Sequence, residues 1–237
     1  MVEGQESINR SYDKLASEYE NIAEKRRTYC NEIDRLVEKN VIGRNLLDIG
    51  SGNGERIANI QKKLGIDVYA IEASTQMYEL LRRKPNINAR KGISQEFQND
   101  LINRFDNVTA LWNVLGHIPT ARELGQSLDN IYRYLKKDGV FICDVNNRHN
   151  IKQYGYKVLG RIIIDIIDFK RMRGDVTTER KMRGENIKLY GHLFNRNEIV
   201  SALKDSKFKR VRVKYVDYDN GNRCMRGTGQ MFIVASK

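Results

Sequence analysis

The sequence predicts an α/β protein built on a doubly wound, mostly parallel sheet. Two observations lead to this class. Short apolar runs alternate with amphipathic segments over the first 145 residues, and a glycine-rich segment follows the first run. Alternating strands and helices indicate a parallel sheet with helices on both faces. Right-handed crossovers then bring the carboxyl ends of the strands to one edge, where ligands of such sheets bind.

The first five strands and their helices follow from hydrophobic periodicity. Apolar runs predict strands at residues 45–49, 67–72, 87–90, 107–111 and 140–145. A spacing of three and four residues between apolar positions predicts one or two helices over residues 7–39, then helices at 55–64, 75–83, 95–104 and 121–135. Thr120 and Glu123 form the Thr-x-x-Glu pattern of a capping box at the start of the last of these helices.

The remaining 88 residues contain further helices and strands. Residues 150–172 have a helical pattern and residues 176–193 a strand-like one. Asn195 and Glu198 predict another capped helix that ends near residue 206. Alternating residues 208–215 and apolar residues 231–235 predict two final strands, with a turn at Asn220 and Gly221 between them.

Charge is distributed unevenly along the 237 residues. The net charge is +12, but residues 1–149 carry 22 basic and 21 acidic side chains, whereas residues 150–237 carry 20 and 9. The sequence therefore assigns nearly all the excess positive charge to the C-terminal part. Such an excess favours an anionic partner, either a nucleic acid or a small molecule with phosphate or carboxylate groups.

Composition also excludes several classes of protein. No window of about 18 apolar residues occurs, and Arg161, Asp165 and Asp168 interrupt the longest candidate, residues 158–169, so we expect no membrane segment. The polar N-terminal residues show no secretory signal. Three widely spaced cysteines fit neither a metal site nor a disulfide framework. We therefore expect a cytoplasmic protein without a metal.

The strongest motif is the segment 48–54, Asp-Ile-Gly-Ser-Gly-Asn-Gly, where the first strand ends and a helix begins. Glycines permit a tight turn and a close approach to a ligand, and free N–H groups at a helix start favour a polar or anionic group. Glu55 stands where the dinucleotide fingerprint needs its third glycine, and no Walker lysine follows. Glu72, at the end of the second strand, has a carboxylate that can accept both hydroxyl protons of a ribose.

These and later segments resemble class I S-adenosylmethionine-dependent methyltransferases. Residues 48–54 resemble the first motif of that family, and residues 68–74, Val-Tyr-Ala-Ile-Glu-Ala-Ser, its acidic second motif. Residues 105–118 resemble its fourth strand and the loop after it, and residues 135–142 the following turn and strand. The resemblance extends from residue 12 to residue 145 and does not identify a substrate.

The resemblance implies an architecture for the whole chain. It implies a single domain, 1–237, with a seven-stranded Rossmann-like methyltransferase sheet whose last two strands form an antiparallel hairpin. Residues 1–44 would form helices over the cofactor, and residues 146–194 would be a lid inserted after strand five that recognises the methyl acceptor.

The same resemblance implies cofactor-binding residues. Gly50, Ser51 and Gly52 would pass under the methionine part of S-adenosylmethionine, Asp48 would approach its ammonium group, and Glu72 would bind the ribose. The remaining implied cofactor contacts are Tyr12, Tyr19, Ala73, Met77 and Asn113. The usual acidic contact to adenine is missing after the third strand, so Ile93 would pack on the adenine and Ser94 would lie beside it.

Methyl transfer from a sulfonium mainly requires alignment, and a general base helps only if the acceptor must lose a proton. His117 is the first candidate for this base, although it could equally be a packing or loop-capping histidine, and His149 is a second candidate near the same edge. For the acceptor, Tyr154 and Tyr190 could supply stacking surfaces, and Arg223 and Arg226 could face the acceptor pocket by their location after strand six.

The sequence therefore predicts an S-adenosylmethionine-dependent methyltransferase that acts on nitrogen or oxygen of a small, anionic metabolite. Two alternatives stay open at this point. One is methylation of an RNA base or ribose, and the other is a partner subunit that binds the cofactor without catalysis.

Overall fold

The computed structural model describes residues 4–167, 174–182 and 185–237. Its strands are β1 (Asn45–Ile49), β2 (Asp67–Glu72), β3 (Ile87–Lys91), β4 (Phe105–Ala110), β5 (Leu135–Val145), β6 (Asp175–Met182), β7 (Glu185–His192), β8 (Lys209–Val216) and β9 (Gln230–Ser236). Its α-helices are α1 (Gln5–Leu15), α2 (Tyr19–Glu24), α3 (Arg27–Glu38), α4 (Glu55–Leu64), α5 (Thr75–Leu81), α6 (Ala121–Tyr134), α7 (Ile151–Tyr154), α8 (Lys157–Ile167) and α9 (Arg196–Asp205).

Seven strands form one sheet in the order β3-β2-β1-β4-β5-β9-β8. The first five are parallel, and β9 runs antiparallel between β5 and β8. The predicted α/β class, with a mostly parallel seven-stranded sheet and an antiparallel last pair, is confirmed. The strand order reverses between β1 and β4, so their carboxyl ends flank the switch point at which such sheets bind ligands.

The central strand is buried on both faces, which explains its continuous apolar sequence. Leu46 and Leu47 of β1 have no exposed surface. Leu46 packs in a cluster with α3 and α4 on one face, and Leu47 packs in a cluster with α6 and α9 on the other. This packing fixes the position of the loop that follows β1.

The predicted helix over residues 95–104 is wrong. This segment is a loop with one short 3-10 turn, Asn99–Leu101. Side chains of α6 take its backbone groups: the Asn130 amide donates to the carbonyls of Ser94 and Gln95, and the Tyr134 hydroxyl accepts from the Gln98 N–H. Tertiary hydrogen bonds have therefore replaced the local helical pattern.

Two other predicted helices are divided in the structure. Residues 7–39 form three helices, α1 to α3, where one or two were expected. The helix predicted over residues 150–172 is interrupted at Gly155, whose φ of +67° ends α7 before α8 begins. Residues 168–172 of that prediction lie outside the described part of the chain.

The capping predictions identified both helix starts. Asn195 and Glu198 form the reciprocal capping box at α9. The Thr120 hydroxyl oxygen accepts from the Glu123 N–H at α6, but the Glu123 carboxylate accepts the Thr120 hydroxyl proton instead of a backbone N–H. The Thr120–Glu123 capping box therefore has one of its two hydrogen bonds to the backbone.

The segment between β5 and α9 contains α7, α8 and the separate β6–β7 hairpin. Fully buried His192 attaches this hairpin to α9, since its Nδ1 lies 2.7 Å from Asp175 and its Nε2 2.9 Å from Glu198. Burial alone would lower the pKa of His192, but the two carboxylates raise it above its ordinary value. Over the described ranges, no helix has the length and apolar character needed to cross a bilayer.

Candidate functional site

Three adjoining cavities lie at the carboxyl edge of the sheet. We name each after one lining residue: the Glu72 cavity, the Arg56 cavity of about 340 Å³ and the Arg161 cavity of about 380 Å³. Tyr19 and Trp112 line all three. The centroids of their rings are 5.4 Å apart. Because both residues line every cavity, these two side chains mark the place where the three cavities meet.

The loop after β1 forms the floor of the first two cavities. Gly50 and Gly52 have φ values of +69° and +58°, which favour glycine. A Cβ at Gly50 would lie 2.6 Å from a methyl group of Val114, so a side chain does not fit there. The Gly52 N–H donates to the Glu72 carboxylate over 2.7 Å, which joins the loop to the end of β2.

Glu72 is 7% exposed and has its carboxylate at the wall of the cavity named after it. Burial raises its pKa, while the N–H groups of Ser74, Gly52 and Ala73 oppose that rise. The Ser74 N–H lies 2.8 Å from the second carboxylate oxygen. A carboxylate has about four lone-pair sites on its two oxygens, so it keeps capacity for a ligand hydroxyl beside these backbone donors.

Helix α1 covers the Glu72 cavity through polar contacts. Asp13 accepts the Ser74 hydroxyl over 2.6 Å and the Gln76 N–H over 2.9 Å, so α1 contributes an acceptor to the start of α5. Gln5 accepts from the side chain of Gln95 over 2.9 Å. These bonds hold α1 against the loops after β2 and β3.

His117 forms a hydrogen-bonded chain between α1 and β7. Its Nδ1 lies 2.8 Å from the Tyr190 carbonyl, which can only accept, so Nδ1 carries the proton. Nε2 then accepts from the Tyr12 hydroxyl over 2.7 Å. Burial lowers the pKa of His117 and raises that of Tyr12. The imidazole is therefore neutral near pH 7, with its lone pair held by Tyr12.

The Arg56 cavity contains an incompletely satisfied guanidinium. Arg56 Nε donates to Asp34, but Nη1 and Nη2 are buried and have no hydrogen-bond partner among the described residues. Asp48 lines the same cavity and accepts the Thr109 hydroxyl over 2.6 Å. Burial raises the pKa of Asp48 to about 6, against the opposing effect of Thr109. Both signs of charge are thus present, as a zwitterionic ligand requires.

Trp112 and Asn113 have unusual backbone conformations where the cavities meet. Their φ values are +64° and +62°, and such a conformation costs about 1–3 kcal/mol for a residue other than glycine. Asp144 compensates, because its carboxylate accepts the Trp112 N–H over 2.7 Å and its carbonyl accepts the Asn113 N–H over 3.1 Å. The end of β5 thereby fixes the direction of both side chains.

The structure brings most of the predicted site residues to the three cavities. Those that line the Glu72 cavity are Tyr12, Tyr19, Gly50, Gly52, Glu72, Ala73, Ile93, Ser94 and His117. Asp48 and Ser51 line the Arg56 cavity, and Asn113, Tyr154 and Tyr190 line the Arg161 cavity.

Two predicted residues have other positions. Met77 is fully buried in the protein and lines none of the three cavities. His149 also lies outside them, because its Nε2 bonds to Asp165 of α8 over 2.7 Å. That bond attaches α8 to the end of β5, which is a structural contact.

Arg223 and Arg226 likewise line none of the three cavities, and both are exposed. The reason lies in the backbone of the loop between β8 and β9. The Asn147 amide donates to the carbonyls of Arg226 and Gly229, so the main chain of this loop faces the protein and Arg226 extends outward.

Sequence reasoning did not select Arg56 and Arg161, which line the second and third cavities. Arg56 lies on an amphipathic helix, where an arginine is typical of a solvated face, and its partner Asp34 is distant in sequence. Arg161 interrupts an apolar run, and this interruption was the only available signal. Sequence reasoning also gave no role to Trp112, which lines all three cavities.

Comparison with known proteins agrees with this architecture. A family model described as a methyltransferase domain matches residues 22–212. An uncharacterized protein of Methanocaldococcus jannaschii is 28% identical over 213 residues, which cover 86% of this chain and 77% of the relative. A Streptomyces venezuelae dTDP-3-amino-3,4,6-trideoxy-alpha-D-glucopyranose N,N-dimethyltransferase is 26% identical over 100 residues, 42% of this chain and 41% of the relative.

A solved structure shares the fold over nearly the whole chain. The DhpI complex with SAM and HEP has a TM-score of 0.72 and 16% identity, and the match covers 97% of this chain and 96% of DhpI. The seven-stranded sheet, with a glycine loop and an acidic residue at its switch point, agrees with the fold that the resemblance to class I methyltransferases implies. The chain belongs to the methyltransferase-domain family and is an S-adenosylmethionine-dependent methyltransferase.

Proposed function

We propose that this enzyme transfers a methyl group to nitrogen or oxygen of a small, anionic metabolite. The observation that carries the proposal is the meeting of the three cavities at Tyr19 and Trp112. Two of them lie on the glycine loop, where the cofactor would bind, and the third offers about 380 Å³, within the range of small-molecule sites. The streptomycete relative named above is an N,N-dimethyltransferase of a nucleotide-linked amino sugar.

The Glu72 cavity fits the adenosine part of the cofactor. The carboxylate of Glu72 would accept the two ribose hydroxyls, while Gly50 and Gly52 leave room for close approach. Ala73, Ile93 and Ser94 would surround the adenine. Ser94 is held in place because its hydroxyl accepts from Ser127 over 2.7 Å and its carbonyl accepts from Asn130.

The Arg56 cavity fits the amino-acid part. An amino acid presents a carboxylate and an ammonium group, and the cavity offers the unpartnered Nη1 and Nη2 of Arg56 beside Asp48 and Ser51. We assign Arg56 to the carboxylate and Asp48 to the ammonium. The assignment would supply partners for guanidinium nitrogens that are costly to leave unsatisfied.

The proposed mechanism depends on alignment. When bound, S-adenosylmethionine supplies both the activated methyl group and its leaving group. Tyr19, Trp112 and Asn113 would fix the approach of the acceptor, and the fixed backbone at Trp112 limits their motion. If the acceptor must lose a proton, neutral His117 is suited to accept it at Nε2. Tyr12 must first withdraw its hydroxyl from that atom.

A second candidate function is methylation of RNA, which one surface feature favours. Lys214 of β8 is partly surrounded by cations: its pKa is lowered by burial and by Arg223, Arg212, Arg35 and Lys39. This cation cluster lies on the α3 and β8 side and could contact phosphates. The metabolite remains preferred because the cluster does not line the Arg161 cavity.

A methyl-transfer assay distinguishes the two candidates. The protein is incubated with S-adenosylmethionine labelled in its methyl group and with either a fractionated metabolite extract or total RNA. The proposal predicts label in a small molecule that resists ribonuclease. Label confined to RNA would establish the alternative, and incorporation into neither fraction would contradict both.

A variant of Arg56 tests its assignment to the carboxylate of the cofactor. Arg56→Gln should weaken binding of S-adenosylhomocysteine about tenfold or more, since a hydrogen-bonded charge pair is lost. Arg82→Gln is the control, because Arg82 pairs with Glu79 on the surface. Equal affinity in the two variants would remove Arg56 from the cofactor site.

A further inference from the structure

The Arg161 cavity has an aromatic wall. Among the described residues, five tyrosines and one tryptophan line it, together with the imidazole of His117: Tyr12, Tyr19, Trp112, Tyr154, Tyr190 and Tyr218. Aromatic walls on several sides favour a flat, unsaturated ligand, because ring faces stack on planar groups. The shape and chemistry of these walls therefore restrict the acceptor more than the volume of the cavity does.

Among the described residues that line this cavity, Arg161 is the one permanently charged side chain, and none of them carries a carboxylate. Its Nη1 is buried and lacks a hydrogen-bond partner in the described structure. The guanidinium carbon lies 5.5 Å from the centre of the Tyr154 ring. A charged donor withdrawn from water without a partner is unfavourable, and an anionic ligand group would satisfy it.

The position of Arg161 is fixed by its own helix. Asp165 lies four residues later on the same face of α8 and contacts two residues in the segment after β5, Arg148 at 3.2 Å and His149 at 2.7 Å. These contacts hold α8 in place. They also occupy the carboxylate of Asp165, which would otherwise be the nearest partner of Arg161 on the helix. Arg161 is thus held at the cavity with its Nη1 available to a ligand.

We propose that the acceptor is a planar aromatic compound bearing a carboxylate or phosphate group, and that Arg161 binds this group. The inference rests on the proposed function and narrows its substrate class. Arg161 acts as a specificity-determining residue, because it selects the anion at one part of the cavity. An amine acceptor that carries only positive charge is disfavoured.

The test uses four probes and the fluorescence of Trp112, the only tryptophan in the chain. The protein is saturated with S-adenosylhomocysteine and titrated with 3-phenylpropionate, phenyl phosphate, neutral 3-phenylpropionamide and cationic phenethylamine. Both anions should bind about ten- to a hundredfold more tightly than the amide, and the amine most weakly. A preference for only one anion identifies the group that Arg161 takes.

Arg161→Gln should remove the preference for anions and leave the affinity for S-adenosylhomocysteine unchanged. Arg161→Lys should retain part of the preference for anions, since the charge remains but the two-pronged geometry of the guanidinium is lost. Lys157→Gln is the matched control, because it removes an exposed positive charge from the same helix. It should behave like the original protein.

Three results would overturn the proposal: anions that bind no better than the amide, an anion preference that persists in Arg161→Gln, or no binding of any probe. Failure of the proposed function is a separate result, because it appears as absent binding of S-adenosylhomocysteine. If that ligand binds and the anion preference is missing, only the role of Arg161 is refuted.

Discussion

Replacing Glu72 by glutamine tests the cofactor site with the smallest change in shape. Both carboxylate oxygens accept backbone N–H groups, from Gly52 at 2.7 Å and from Ser74 at 2.8 Å. A glutamine amide would place its own NH₂ against one of these donors. It would also offer a neutral oxygen to the ribose in place of a charged one.

The size of the effect follows from these contacts. A hydrogen bond to a charged group contributes about 1.5–3 kcal/mol, so loss of one such contribution weakens binding about ten- to a hundredfold. One backbone N–H without a partner would also destabilise the fold by about 1–3 kcal/mol. For a chain of this size, each kcal/mol lowers the melting temperature by about 2–4 °C.

Calorimetric titration with S-adenosylhomocysteine measures the first effect, and thermal unfolding without ligand measures the second. Glu79→Gln is the control, since Glu79 lies on the next helix and pairs with exposed Arg82. An affinity of Glu72→Gln within about twofold of the original protein, with unchanged melting, would refute the assignment of Glu72.

Further predictions concern the histidines and α1. Tyr12→Phe removes the hydroxyl bonded to His117, so we expect α1 to be cleaved faster by protease and S-adenosylhomocysteine to bind about fivefold more weakly. In an NMR titration of ring protons, His117 should titrate below the ordinary histidine pKa and His192 above it. Because the pKa of His192 is raised by folding, its stabilising effect is complete below about pH 6.5 and is lost as pH rises through the folded-state pKa. Melting temperature should therefore fall over that range, and less so in His192→Gln.

Tyr156→Phe removes a hydroxyl from an exposed tyrosine and should change neither proteolysis nor binding. Signals of His117 and His192 are assigned by replacing each with glutamine. Equal pH dependence of melting in His192→Gln and the original protein would show that His192 contributes no titrating bond.

Short sequence patterns predicted the parts of the fold that depend on neighbouring residues in the chain. The strand-end glycines and Glu72 were identified because a tight turn and a strand-end carboxylate each have a short sequence signature. The helix predicted after β3 was wrong, because Asn130 and Tyr134 lie far along the chain and take its backbone groups. A periodic pattern does not report bonds from a later helix.

The residues around the acceptor cavity were harder to predict, because their positions also depend on contacts between residues distant in sequence. Arg223 and Arg226 were selected by their place after strand six, but neither lines a cavity, and the Asn147 amide holds the backbone of the loop at Arg226. Arg161 reaches the cavity through a helix that is fixed by Asp165. Neither the break at Gly155 nor that ion pair is visible from spacing alone.

The most direct test of the central claim is a calorimetric titration of the unmodified protein with S-adenosylhomocysteine. The arrangement of Glu72, Arg56 and the glycine loop predicts one saturable site per chain, filled below about 1 mM ligand. The same titration should show reduced affinity in Glu72→Gln and in Arg56→Gln. Absence of binding by the unmodified protein at that concentration would contradict the account.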